Sequence, residues 1–200
     1  MFIQLMDKRL FLFYCALFAA LMCSAQSLEN FNTDRLSLNQ QGMIVLGSWA
    51  VANLVSSPIL ASRAEGSNRY FHQMNGYWNT VNLILAGAGF YSAMTTDAAG
   101  LTLLETIHAQ QSMEKILLFN TGLDVAYMIG GLYLQERSKS AGKNKDRLKG
   151  FGRSLVLQGA FLFVFDLGFY VIQTRHGLGL GKFVDQLAVS PTGFQLTTYF

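Results

Sequence analysis

ILLFNTGLDVAYMIGGLYL, residues Ile116 to Leu134, is an apolar run with an aspartate near its middle. At ~1.5 Å per residue a helix of this length covers roughly 28 Å, close to the ~30 Å hydrocarbon core of a bilayer. Wound at ~3.6 residues per turn, it has two unlike faces. Asn120, Asp124, Tyr127 and Gly131 fall on one stripe, and Gly122, Ala126 and Gly130 fall on the opposite one. An ionisable residue at that depth is costly, so it marks either a polar packing core or a functional path.

Three further runs have the same character: residues 42–60, ending near Pro58, residues 74–94 and residues 154–172. None of the four contains Lys or Arg. A hydrophobic fraction of 51% against 14% charged residues fits this reading and argues against an ordinary water-soluble domain. The predicted fold is all-α, a transmembrane four-helix bundle preceded by a cleavable signal peptide.

The signal is tripartite: Lys8 and Arg9, an apolar stretch from Leu10 to Met22, then Cys23-Ser24-Ala25 before Gln26. The apolar stretch is short for a span, and the small residue at Ala25 places cleavage after it, making 1–25 the signal and 26–200 the mature membrane domain. Lipidation at Cys23 is the lesser alternative, because the bulky Met22 precedes it. Cleavage removes both Cys15 and Cys23, leaving a mature chain without disulfide or thiolate chemistry.

Loop charges orient the spans. Between the third and fourth, Arg137, Lys139, Lys143, Lys145, Arg147, Lys149 and Arg153 face only Glu136 and Asp146. Between the second and third, Asp97, Glu105 and Glu114 face Lys115 alone. The positive-inside rule puts the former loop in the cytoplasm and the latter outside, with Arg63 and Arg69 of the first loop in agreement. Both mature termini are then periplasmic. The polar segment 26–41 is an outer lead-in, residues 98–113 are expected to form a short helix lying on the membrane surface, and 175–200 is a periplasmic tail with no assigned structure. The net charge of +3 arises mainly in one loop between apolar helices, a topology signal and not a nucleic-acid patch.

Polar residues inside the spans are the candidate site. Asn53 lies on the first span; Asn75, Asn79 and Asn82 share a stripe of the second; Gln158 and Asp166 share one of the fourth with Gln173. Counted from the span midpoints, Asp124 and Asp166 lie within roughly 5 Å of the middle, at similar depth. With no basic residue in the spans, desolvation and mutual repulsion favour a protonated carboxyl that donates a hydrogen bond. Asp124, Asp166, Asn120, Asn53, Asn79, Asn82 and Gln158 are therefore read first as interhelical glue. The competing reading is a small transporter or permeation unit in which Asp124 and Asp166 pass protons, cations or a polar solute. Gly122, Ala126 and Gly130 form a small-xxx-small ridge, expected to pack on a neighbouring span in preference to a second copy or a membrane partner. Trp49 and Trp78 are expected inside the bundle.

Other motifs carry no chemistry. Glu105-x-x-His108 resembles half a di-iron carboxylate site but has no second copy. GLGLGK at residues 177–182 lacks P-loop spacing and is followed by Phe183. His72, His108 and His176 lie in loops or at span ends, so no intramembrane bis-His haem site is formed. No cofactor, metal or catalytic residue is assigned, and an enzyme ranks last for want of a nucleophile with a base in reach.

WAVAN at Trp49 to Asn53, FHQMNGYWNTVN at Phe71 to Asn82, EKILLFNTGLDVAYMIGG at Glu114 to Gly131 and LQGAFLFVFD at Leu157 to Asp166 together resemble an uncharacterised family of small bacterial integral membrane proteins, a domain of unknown function. The resemblance covers most of the mature chain. It implies a bacterial inner-membrane protein in contact with the lipid bilayer, and it brings no activity.

Overall fold

The computed structural model of the chain describes the backbone of residues 8–181, 189–190 and 193–194, and the side chains of residues 27–181. Four long helices make the fold: α1 (Lys8–Arg63), α2 (Gly66–Thr95), α3 (Leu103–Ser138) and α4 (Lys145–Gly177). In the tail, β1 (Val189–Ser190) pairs antiparallel with β2 (Gly193–Phe194). The start of the expected signal, its side chains including Cys23, and the rest of the tail lie outside the described residues.

α1 is continuous over 56 residues, through Ala25, the polar lead-in and Pro58. Pro58 cannot donate its helical hydrogen bond, yet the helix continues past the expected end to Arg63. Gly66, at φ 53°, adopts the left-handed conformation that opens the way into α2, and Gly142, at φ 52°, does the same after α3. A 3-10 turn, Gly142–Asn144, then leads into α4.

The surface helix expected over 98–113 is not formed. Residues from Leu103 onward are the first turns of α3, started by a capping box. The Glu105 backbone N–H donates to Thr102 Oγ1 at 3.3 Å, and the Thr102 N–H donates to Glu105 Oε2 at 2.9 Å. Thr106 and Gln110 are buried, so this segment continues the bundle beyond the apolar run.

Three helical stretches are long and apolar enough to cross a membrane: Ser27–Arg63, Leu103–Ser138 and Gly142–Gly181. α2, which holds the expected second span, falls short of them in apolar character. Asn75, Asn79 and Asn82 lower its hydropathy, but all three are buried, while Val81, Ile84, Leu85, Tyr91 and Met94 are exposed. Its polarity faces the bundle.

α4 is the hub. It packs along α3 on one side and α2 on the other, and α1 lies along α2. Glycines permit the closest crossing: a Cβ added at Gly131 of α3 would meet the carbonyl oxygen of Gly152 of α4 at 2.6 Å. The buried face of α3, Gln110, Leu117, Asp124, Gly131 and Ser138, repeats every seven residues, the period that keeps one stripe against a neighbouring helix. The apolar core is small: Leu46, Ala86 and Leu162 with Trp78, Phe161 and Phe165 around them. The largest fully buried side chains are Gln110, Gln158, Gln173, Asn32, Asn79, Thr106, Asp124 and Ser154, all polar.

Candidate functional site

The polar side chains join into a seam between the helices. At its centre, the amide of Gln158 on α4 meets two other helices, α1 and α2, at once. It accepts from the indole N–H of Trp49 at 2.9 Å and donates to Asn75 Oδ1 at 3.1 Å and Asn53 Oδ1 at 3.4 Å. Ser154, one turn earlier on α4, also donates to Asn75 Oδ1. Asn79 donates to the Asn75 carbonyl at 2.8 Å, and Asn82 donates to Asn79 Oδ1 at 3.3 Å. The Trp49 ring stacks on Phe161 at 3.9 Å, which fixes the direction of its N–H. Asn53, Asn79, Asn82 and Gln158 are thus brought together, with Asn53 half-buried and the others buried.

Asp124 of α3 and Asp166 of α4 are both buried and close enough to interact with each other. Two carboxyl groups in that relation bond only by sharing a proton. They line a pocket of about 190 Å³ with Asn82, Asn120, Trp78, Tyr127 and aliphatic residues of all four helices. No Lys, Arg or His lines it. Asn120 is half-buried at this pocket. Trp78 and Tyr127 meet edge to face at 4.7 Å. Two buried atoms on residues of the pocket, Asp124 Oδ2 and Trp78 Nε1, have no hydrogen-bond partner among the described residues. Chemically, the pocket offers two carboxyl groups and an indole N–H without a partner among the described residues.

A second polar cluster, absent from the sequence-based site, lies farther along the bundle. The lead-in of α1 docks here on α3 and α4. Asn32 donates to Thr106 Oγ1 at 2.9 Å, Gln173 donates to Asn39 Oδ1 at 2.7 Å, and Gln110 donates to the Gln173 carbonyl at 2.7 Å. His176 stacks on Phe31 at 4.1 Å, with its Nε2 3.2 Å from the Phe31 carbonyl oxygen. Asn32, Asn39, Thr106, Gln110 and Gln173 are all buried.

Among the described residues, the ridge Gly122, Ala126, Gly130 does not pack on another helix. Gly122 and Ala126 are exposed, and a Cβ added at Gly122 or Gly130 would meet nothing within 4 Å. The close approach between helices belongs to the other stripe, where Gly131 meets Gly152 and Gly159 lies against the backbone of Asp124. Burial of the polar stripe at the α3–α4 contact turns the small ridge outward.

Fold and site define an all-helical bundle with a polar interior and three stretches apolar enough to cross a membrane. The chain belongs to the "Family of unknown function (DUF6992)", whose model matches residues 45–167. That match begins inside the run 42–60, extends past Asp166 and includes every residue of the central seam. No curated protein and no solved structure matches the chain.

Proposed function

We propose that the protein is a four-span integral component of the bacterial inner membrane, with its mature termini in the periplasm, serving as a structural or interaction element and not as an enzyme. The observation that carries this reading is the inverted polarity of the bundle. The largest fully buried side chains are amides, hydroxyls and a carboxyl, while Ile84, Phe119, Ile129, Tyr133 and Val164 are turned outward. In water this distribution would forfeit the hydrophobic driving force; in lipid it places apolar groups against acyl chains and lets polar groups bond across helices. α2 fits as the remaining span because its asparagines face inward and its apolar side chains face out.

The bonds of Gln158, Asn75 and Trp49 support packing as the role of the seam, since each uses its polar atoms on another helix of the same chain. The test replaces Asp124 and Asp166 by Asn, singly and together, and measures thermal stability in detergent beside cation- and proton-dependent flux in proteoliposomes. A packing role predicts no flux in the wild type and stability that follows the seam. Wild-type flux that disappears in variants of undiminished stability would overturn it. A reporter active only in the periplasm, fused after Lys145, is expected to be silent; activity there would reverse the orientation.

A further inference from the structure

The geometry points to a binding site for one anionic phospholipid in the groove between the last turns of α3 and the first turns of α4. This inference rests on the membrane reading above. The groove has a volume of about 710 Å³ and combines two chemistries. One wall is apolar: Ile129, Leu132 and Tyr133 of α3, exposed by 62%, 58% and 65%. The other end is net basic: Lys139 just after α3, with Lys145 and Lys149 on α4, against the one carboxylate in the lining, Glu136. Ile129 and Lys139 are ten positions apart, roughly 15 Å along a helix at ~1.5 Å per residue, so the apolar and cationic parts are stacked along the axis. Acyl chain and phosphate are arranged the same way in a phospholipid.

The charges are matched to an anion. Lys139 is held by Glu136 at 2.6 Å. Lys145 and Lys149, four residues apart on one face of α4, have no ion pair among the described residues. Long lysine stems can lie along the apolar wall while their ammonium groups reach a headgroup phosphate. Basic pockets between spanning helices on the cytoplasmic side recognise anionic headgroups in this way. Free phosphate would satisfy the lysines but leave the wall of Ile129, Leu132 and Tyr133 without a role.

The test titrates the purified full chain in detergent with phosphatidylglycerol and with phosphatidylcholine, counting retained lipid by native mass spectrometry. The wild type is expected to retain phosphatidylglycerol with about ten-fold preference. The double variant Lys145→Gln/Lys149→Gln should lose that preference, and Leu132→Asn should weaken retention. Arg137→Gln/Lys143→Gln removes two charges from the same loop outside the groove and should change the preference less than about two-fold. Equal retention of the two lipids, equal loss in both double variants, or displacement of the lipid by millimolar inorganic phosphate would overturn the site alone. A chain that stays monodisperse in buffer without detergent would overturn the membrane reading and the site with it.

Discussion

The indole N–H of Trp49 on α1 donates to the Oε1 of Gln158 on α4 at 2.9 Å, although the two residues are 109 positions apart in the chain. Gln158 is fully buried and makes two further bonds, to Asn53 and Asn75, so one amide ties α1, α2 and α4 together. Interhelical bonds of this kind average ~0.6 kcal/mol in a membrane, which puts the three at about 2 kcal/mol. Gln158→Leu should lower stability by about that amount in thermal or denaturant unfolding in detergent. Trp49→Phe should cost less, and the double variant less than the sum, because it removes both ends of one bond. Strict additivity would show that the bond contributes nothing.

Gly131 and Gly152 set the spacing of α3 and α4. An added Cβ at Gly152 would press on the backbone of Gly131 and lie 3.0 Å from the Gln135 backbone nitrogen, and neither helix backbone can yield locally. Overpacking of this type costs about 1–3 kcal/mol, so Gly152→Ala should be clearly destabilising. Gly122→Ala, whose Cβ meets nothing, should stay within about 0.5 kcal/mol of the wild type. Unfolding midpoints of the two variants provide the comparison, and a Gly122→Ala loss matching that of Gly152→Ala would contradict the outward position of the ridge.

The seam was legible where polar residues interrupt apolar runs. Asn75, Asn79 and Asn82 recur at spacings of four and three, and such a stripe inside a span has few places to go except inward. The same logic put Asp124 and Asp166 at similar depth, without showing whether they face each other. It failed for Asn32, Asn39, Gln110 and Gln173 as one cluster, because polar residues outside an apolar run look the same whether solvated or docked. A signal was present: Asn32, Leu36, Asn39, Gly42, Leu46 and Ala50 keep helical spacing from the lead-in into the first span, and Gln110, Leu117, Asp124, Gly131 and Ser138 keep a period of seven. Following that period would also have shown Gly131, and not Gly122, at the helix contact. The outward apolar face of α2 was harder to weigh, since hydropathy averages its two faces.

His72 precedes the expected second span, beside the Arg153 guanidinium, which itself lies over the Phe71 ring at 5.3 Å. Partial burial, and then the positive charge of Arg153, hold the imidazole below its ordinary value of 6.5. The unfolded chain therefore binds the proton more readily than the folded one. Stability contributed by neutral His72 is complete above about pH 6.5 and declines as the pH falls toward the folded value. Arg153→Gln should move the His72 midpoint upward in an NMR titration, and His72→Gln should flatten the acid side of the stability profile. A His72 midpoint above 6.5 in the wild type would contradict the assignment.

Asp124 and Asp166 can bond to each other only through a shared proton, and Asp124 Oδ2 has no donor elsewhere among the described residues. An amide supplies its own hydrogen, so Asp166→Asn can donate to Asp124 without a borrowed proton. That variant should retain wild-type stability within about 1 kcal/mol. Asp166→Leu removes the partner while leaving the Asp124 carboxyl buried, and such an orphaned group costs about 1–3 kcal/mol. Asp124→Leu should be harmful for the same reason, whereas the double Leu variant, with no carboxyl left to strand, should lose less than the two single variants combined. Unfolding of the wild type, the two single Leu variants and the double Leu variant at pH 7 makes the cycle, with Asp166→Asn measured beside it. Additive losses would mean that the two carboxyls do not interact, leaving the pocket as two separate polar sites.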